Sequence, residues 1–415
     1  MGKQRSDSEQ QIAELLQTAR RALHLSVAFL SRLDGTTQHL EVVEAPALHS
    51  LVFREGVAQP QSTTFCQATL DGKLPAVMPD LRKFPVAMAL PAARIPRIRS
   101  FVSVPVRLSD GTLYGTFCAA GLTSDKELND RDQALMEVLA SAAAVIIEPG
   151  VRTQARAEDI RSRLAPVLAA GGPTVVLQPI VDLNTGHRVG AEALSRFPAE
   201  WDKAPDTCFA EGHSVGLGDA LEIAALRTAA EHLAVVDGYV TMNVSPGTLQ
   251  TTACQRLLEQ MPLERVVLEL SEHESVGNYH ILRDTLAPLR ARGMRLAIDD
   301  VGAGFSSLRH IVLTAPDIIK LDRSLVTGLG EDQVLRTLVR SLVDFGHGSN
   351  ATVVAEGVET ASDADHLRRL DVDFGQGWYH GRPGPPEALS PVSLPVPRPG
   401  EHDDMDSCNT IQRHT

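Results

Sequence analysis

Apolar side chains recur at helical spacing near the start of the chain, where Ile12, Leu15, Leu16, Ala19 and Leu23 place one stripe on a helix predicted over Ser8 to Leu23. The pattern then shortens. Runs at Ser26 to Leu33 and Leu40 to Ala45 read as strands, and Phe101, Ser103, Pro105 and Arg107 alternate with Val102, Val104, Val106 and Leu108. Ser109-Asp110-Gly111 supplies turn chemistry and Leu113 to Ala120 returns, which predicts a hairpin. Leu135, Val138, Leu139, Ala142, Val145 and Ile146 mark a second amphipathic helix that Pro149-Gly150 is expected to stop. Residues 1–148 thus read as an α+β unit with a helix at each end.

Residues 149–173 read as a connecting helix, with Ile160, Leu164 and Val167 on one side, ended by Gly171-Gly172-Pro173. From Thr174 onward, short runs of Val, Ile and Leu alternate with helical stretches. That rhythm predicts βα units, a parallel sheet and, over residues 174–388, a closed TIM-like α/β barrel. Residues 389–415, rich in Pro, Asp and polar side chains, are expected to form a flexible tail.

Composition narrows the function. With 39 Lys+Arg against 52 Asp+Glu the formal net charge is −13, and no basic stripe tracks a phosphate backbone, so a nucleic-acid polymer is not the expected partner. No run reaches the ~20 uncharged apolar residues that a membrane span requires, and the start, MGKQRSDSEQQ, lacks the apolar core of a secretion signal. A cytoplasmic protein without a membrane partner is the expectation. The five cysteines, Cys66, Cys118, Cys208, Cys254 and Cys408, are widely spaced and contain no CxxC pair, which points to buried or idle thiols.

The informative residues stand at the ends of the apolar runs in the second half. Tyr239-Val-Thr-Met ends in Asn243, Val266-Val-Leu in Glu269, Arg295-Leu-Ala-Ile in Asp299-Asp300 and Thr352-Val-Val-Ala in Glu356, while Asp317-Ile-Ile carries Lys320 and Asp322. In a βα barrel such ends open onto one face. Any one of these acids could be a helix cap or a solvated loop residue. Adjacent Asp299 and Asp300 ending an apolar strand, however, repel each other unless a cation or hydrogen-bond donors neutralise them. With Glu192 nearby, the all-oxygen set suits Mg²⁺ or Mn²⁺ better than zinc.

Eight segments in order carry a family resemblance: Gln178-Pro-Ile-Val-Asp-Leu, Gly190-Ala-Glu192-Ala-Leu194-Ser-Arg196, Asn243-Val-Ser-Pro246, Leu268-Glu269-Leu-Ser-Glu272, Ile298-Asp299-Asp300-Val-Gly302-Ala-Gly304-Phe-Ser-Ser307, Lys320-Leu-Asp322, Ala355-Glu356-Gly-Val-Glu359 and Gly375-Gln376-Gly377. Together they resemble the EAL domain, the bacterial phosphodiesterase that opens cyclic di-GMP to linear pGpG, over roughly residues 174–386. The resemblance implies two metal ions per active site, Mg²⁺ or Mn²⁺. Glu192, Asn243, Glu269 and Asp299 would hold one; Asp299 would bridge to a second, held also by Asp300, with Glu356 and Gln376 completing its surroundings. It further implies that Lys320 hydrogen-bonds the attacking water and that Glu356 is the candidate to receive its proton. Arg196 would clasp a phosphate oxygen, its alternative being a surface salt bridge. Leu194 and Gln178 would contact substrate, and Asp322 either does so or caps the following helix. Glu272 would hold the loop from Gly302 to Ser307, which places Asp300 and can reach a dimer partner. Val301 and Phe197 stand where the family usually has Phe and Trp, and both read as packing substitutions.

Residues 1–148 resemble, less specifically, a GAF sensor domain, through Thr64-Phe-Cys66, Ser100-Phe-Val-Ser-Val-Pro105 and Gly115-Thr-Phe-Cys118-Ala. This implies a small-molecule ligand or a dimerising scaffold that modulates turnover, and a homodimer overall. Two alternatives remain. A silent cyclic di-GMP receptor acting through a protein partner would be expected to lack a metal ligand. An enolase-type lyase would also line its strand ends with acids beside a lysine, but would not need Gln178, Arg196 and the Gly302 to Ser307 loop together.

Overall fold

A computed structural model describes residues 5–46, 53–93, 98–271, 279–302 and 312–389. The chain divides into two compact units, Met1–Arg156 and Ala157–Thr415.

The first unit starts with helix α1, Asp7–Ala22, nucleated by a capping box. The Ser6 hydroxyl accepts from the Glu9 N–H, and the Glu9 carboxylate accepts from the Ser6 N–H. Strands β1 (Val27–Leu33), β2 (Thr37–Glu44), β3 (Ala58–Pro60), β4 (Val77–Met78), β5 (Ser100–Arg107) and β6 (Leu113–Gly121) form one antiparallel sheet in the order β3-β2-β1-β6-β5-β4. Val102, Val104 and Val106 pack on one face with Ile12 and Leu16 of α1, while Phe101, Cys118 and Phe29 pack on the other with Phe65, Met78 and Leu81. Burial on both faces of the two central strands explains why β1 and β6 read as apolar runs, whereas β2 and the second half of β5 alternate.

A second helix, α2, runs unbroken over Asp130–Ala169, so Pro149-Gly150 does not stop it and the two expected helices are one. Proline's fixed φ is compatible with a helix, but in a helix interior it removes one hydrogen bond and crowds the carbonyl four residues back, here that of Val145. Local bonds hold the turn together. The Thr153 hydroxyl donates to the Pro149 carbonyl at 2.8 Å, Arg152 pairs with Glu148, and the Ser109 N–H donates to the Glu148 carboxylate at 3.2 Å. Among the described residues α2 is the one helix long and apolar enough to cross a membrane by length and composition. Its apolar residues Met136, Ala140 and Ala143 are buried in the first unit's core.

The second unit is a closed eight-strand barrel: β7 (Thr174–Asp182), β8 (Arg188–Arg196), β9 (Tyr239–Asn243), β10 (Val266–Ser271), β11 (Arg295–Val301), β12 (Ile318–Leu321), β13 (Thr352–Ala355) and β14 (Phe374–Gln376), closing between β14 and β7. The chain therefore has the expected architecture of an α+β domain followed by a TIM-like barrel, with one difference. β7 runs antiparallel to both neighbours, whereas the remaining pairs are parallel. Only residues 183–187 separate β7 from β8, too few for a parallel crossover, and Asp182 Oδ1 closes the turn by accepting from the Asn184 and Thr185 N–H groups.

The barrel interior positions the site by strand periodicity. Ile180, Tyr239, Val267, Ala297, Ile318 and Val354 form an inner apolar cluster, packed also by Phe374. Side chains two positions along a strand share its face. Two residues beyond Val267, Ala297, Ile318, Val354 and Phe374 stand Glu269, Asp299, Lys320, Glu356 and Gln376, and two before Ile180 on reversed β7 stands Gln178. An apolar plug thus floors a polar layer.

Candidate active site

Four carboxylates converge on one ammonium in that layer. Lys320 Nζ lies 2.6 Å from Glu356 Oε1, 3.1 Å from Glu269 Oε2, 3.1 Å from Asp299 Oδ1 and 3.4 Å from Glu192 Oε2. Lys320 and Glu269 are fully enclosed, and Glu192 and Gln376 are buried. Burial alone would lower the Lys320 pKa, but the surrounding carboxylates raise it well above its usual range, so the ammonium is permanent. Burial drives the Glu269 carboxyl well above the ordinary carboxylate range; Lys320 opposes this and the neighbouring acids add to it. Glu356 is raised for the same reasons. One cation is thus outnumbered by its anionic neighbours.

Asp299 and Asp300 both reach this cluster because the strand is irregular there. Regular alternation would send adjacent side chains to opposite faces. The register with β12 shifts between Ile298 and Val301, and Asp300 adopts a left-handed φ of 58°, a conformation in which aspartate is among the tolerated residues. Carboxylate oxygens of Glu192, Glu269 and Asp299 lie within 4.8 Å of one another, as do those of Asp299, Asp300 and Glu356, so Asp299 is common to both groups.

Two acceptors in this layer, Glu269 Oε1 and Gln376 Oε1, are buried without a hydrogen-bond partner among the described residues. Unpaired buried acceptors beside excess negative charge are what a hard divalent cation with oxygen ligands would satisfy. The donor set therefore fits Mg²⁺ or Mn²⁺. Asn243 Nδ2 donates to Glu192 Oε1 at 3.3 Å, which brings its amide to the same rim.

The other expected residues divide. Leu194 lines both of two adjoining cavities, of about 680 and 290 Å³, that share Glu192 and Asp299. Arg196 lines the larger one; its Nη1 donates to the Ser195 carbonyl at 2.9 Å, and it makes no ion pair among the described residues. Gln178 lines the smaller, but its Nε2 donates to the Gly381 carbonyl at 3.1 Å and its Oε1 accepts from Gln376 at 3.1 Å, so both ends are engaged within the protein. Asp322 lines neither cavity and caps the helix Arg323–Val326, accepting from the Ser324 N–H at 2.9 Å. Glu272 and residues 303–307 of the expected loop lie outside the described residues. Phe197 stacks on Trp201 at 5.8 Å and meets Phe209 edge-on at 5.3 Å, a packing role.

Sequence reasoning missed Glu222. It sits on the buried stripe of the helix Gly218–Glu231 and accepts from the Ser245 N–H at 2.8 Å, while His213 Nε2 engages its other oxygen. It thereby holds the turn that follows Asn243. The legible signal was an acid among Leu221, Ala225, Leu226 and Ala229, where burial demands a partner. Glu222→Ala is expected to destabilise the protein by about 1–3 kcal/mol, read by denaturant unfolding; unchanged stability would show that the turn does not depend on it.

Residues 159–383 match the EAL domain and residues 6–148 the GAF domain. Over 240 residues the chain is 30% identical to an uncharacterized protein of Azorhizobium caulinodans, covering 52% of this chain and 33% of that one. A probable cyclic di-GMP phosphodiesterase of Escherichia coli, PdeD, is 29% identical over 221 residues, covering 50% of this chain and 41% of that one. The matched segment thus spans less than half the length of either relative. A solved structure described as the PaMucR phosphodiesterase in complex with c-di-GMP is 25% identical, with a TM-score of 0.50, covering 56% of this chain and all of that one. More than half of the chain lies within the first of these matches, and the protein belongs to the EAL domain family, its barrel preceded by a GAF domain.

Proposed function

We propose that the chain hydrolyses cyclic di-GMP to linear pGpG, using two divalent ions at the barrel mouth, with the GAF domain modulating turnover. The observation that carries this reading is the convergence of Glu192, Glu269, Asp299 and Glu356 on Lys320, with Asp300 alongside Asp299. A silent receptor would not need the complete set of these ligands.

Glu192, Asn243, Glu269 and Asp299 would hold one Mg²⁺ or Mn²⁺, and Asp299, Asp300 and Glu356, with Gln376 nearby, the other. When bound, such a pair lowers the pKa of water and stabilises charge on the attacking and leaving oxygens of a phosphodiester. The residues of the chain supply the rest. Lys320, fixed by its carboxylates, donates a hydrogen bond to the incoming water, and Glu356, partly exposed at the rim, receives its proton. Arg196 presents its forked donors to a phosphate oxygen. Leu194, between the two cavities, forms part of the wall that seats the substrate. Separating the products formed from cyclic di-GMP with Mn²⁺ tests the reading: a ring-opened dinucleotide supports it, and ligand bound but left closed would make the protein a receptor.

The site's protonation gives a second expectation. Burial raises Glu269 well above its ordinary value of 4.5, and raises Glu356 to about 8. The folded, metal-free chain therefore holds protons that the unfolded chain releases. Stability from these two groups is present below the unfolded value and is lost as pH rises toward the raised folded values. Divalent ions compete with those protons, so stabilisation by metal should grow with pH. Excess ion at 100 times its dissociation constant adds about 2.7 kcal/mol, a rise in Tm of about 5–10 °C for a unit of this size. Thermal unfolding with Mn²⁺ should show a larger rise at pH 8 than at pH 5; equal shifts would contradict proton–metal competition in the cluster.

A further inference from the structure

In the first unit, the fold brings together two thiols that lie 52 residues apart in the sequence. Cys66, in the first turn of the helix Phe65–Leu70, places its Sγ 3.4 Å from Sγ of Cys118, in the middle of β6. Both are buried. Structural thiols are commonly packed in apolar surroundings, where they are inert. This pair instead sits in a buried hydrogen-bonded network. Gln38 Nε2 lies 3.1 Å from Cys66 Sγ and 2.7 Å from Ser31 Oγ. Ser103 Oγ lies 3.3 Å from Cys118 Sγ, the Cys118 thiol reaches Thr116 Oγ1 at 3.2 Å, and Ser31 and Thr116 share a bond of 2.8 Å. Ser31, Gln38, Ser103 and Thr116 are all essentially inaccessible. Four polar side chains around a sulfur pair in a sheet core are costly to bury unless they serve one another or the sulfurs.

The two sulfurs are not equivalent. The hydrogen bond with Cys118, followed by those with Thr116 and Gln38, holds the Cys66 thiol below its usual range against burial, whereas burial and the neighbouring Cys66 push Cys118 well above it. Cys66 is therefore the sulfur readier to act as a nucleophile. A polar lane also leads outward. Gln59, half-buried on the short strand β3, lies 3.5 Å from Gln38 Oε1, so amide groups connect the sulfur pair to the edge of the sheet.

We infer that Cys66 and Cys118 form an oxidisable dithiol that a small hydroperoxide converts to an intramolecular disulfide. The Cys66 sulfur attacks one oxygen of hydrogen peroxide. The O–O bond breaks, the departing hydroxide takes the proton released from Cys66 and leaves as water, and Cys66 becomes a sulfenic acid. The Cys118 sulfur then attacks the Cys66 sulfur and expels hydroxide, which takes the Cys118 proton and leaves as a second water as the S–S bond forms. Two thiols lose two electrons, and one peroxide becomes two waters. Closing the gap from 3.4 Å to the ~2.05 Å of a disulfide requires the two sulfurs to approach by a little over an ångström. The bond would tie the helix Phe65–Leu70 to the centre of the sheet.

The test treats the full folded chain with a modest molar excess of hydrogen peroxide, alkylates the remaining thiols after denaturation, and maps the peptides by mass. The inference predicts a linked peptide joining Cys66 to Cys118, two hydrogens lighter, that dithiothreitol reverses, with Cys208, Cys254 and Cys408 still alkylated. In Cys118→Ser the reaction should stop at the sulfenic acid on Cys66, trapped by a 1,3-dione. Retention of both thiols in the peroxide-treated wild-type chain would overturn it, as would a link from Cys66 to a different cysteine. So would a link that forms only under conditions where circular dichroism shows loss of the fold. The wild-type mapping is decisive even if the variant fails to fold.

Discussion

Asp299→Asn is expected to abolish hydrolysis of cyclic di-GMP, lowering kcat by at least about 10³-fold, while leaving the barrel folded. The residue belongs to both carboxylate groups at the mouth, so neutralising it weakens both ion sites at once, whereas each of its neighbours belongs to one group, Glu356 to the second. It is also a partner of Lys320 at 3.1 Å. The amide keeps the shape of the carboxylate and keeps an acceptor for the Asp300 N–H, which now lies 3.0 Å from Asp299 Oδ1. Folding should therefore survive and chemistry should not. Steady-state kinetics beside a melting curve separates the two, and a variant with full activity would remove Asp299 from the metal scheme.

The second large effect concerns Lys320→Met. The ammonium is the sole cation within salt-bridge distance of Glu269 among the described residues, and it is enclosed with that carboxylate. Removing one member of a buried ionic set leaves the remainder uncompensated, at about 3–5 kcal/mol. The size should depend on pH. At low pH the carboxylates take up protons and the loss is small; as pH rises through their raised values the repulsion develops and the loss grows. Mn²⁺ should restore much of the stability by neutralising the same oxygens, but activity should stay down by about 10²-fold or more because the donor to the water is gone. Denaturant unfolding of the metal-free variant at pH 5 and pH 8, with kinetics in Mn²⁺, checks both parts. A loss of stability that does not vary with pH would show that Lys320 does not balance these acids.

Much of the barrel was legible because one physical rule governs it. Glu269, Asp299, Lys320 and Glu356 each follow an apolar inner residue by two positions, and the apolar runs that they end are visible in the sequence. What periodicity could not show was how Asp300 turns to join Asp299. That depends on a register shift and a left-handed backbone, which are properties of the strand pair and not of the dipeptide. The reversal of β7 follows from a five-residue connection, so loop length held that information where the βα rhythm misled. Pro149-Gly150 misled differently. The breaker signal is local, and the helix continues through it, with bonds from Ser109, Arg152 and Thr153 around that turn. Asp322 resolves toward a cap because the residues after it turn into a short helix. The pairing of Cys66 with Cys118 had no sequential signature, and the burial of Glu222 was legible without its partner Ser245, since each pairing is made by packing between separate elements.

Two-ion hydrolysis is tested most directly by the rate of ring opening measured against the number of Mn²⁺ ions bound to the full chain. It predicts that linear pGpG accumulates, that the rate rises as the second ion binds, and that a chelator stops it. Cyclic di-GMP left intact at saturating Mn²⁺, or opened as fast in the presence of chelator, would contradict it.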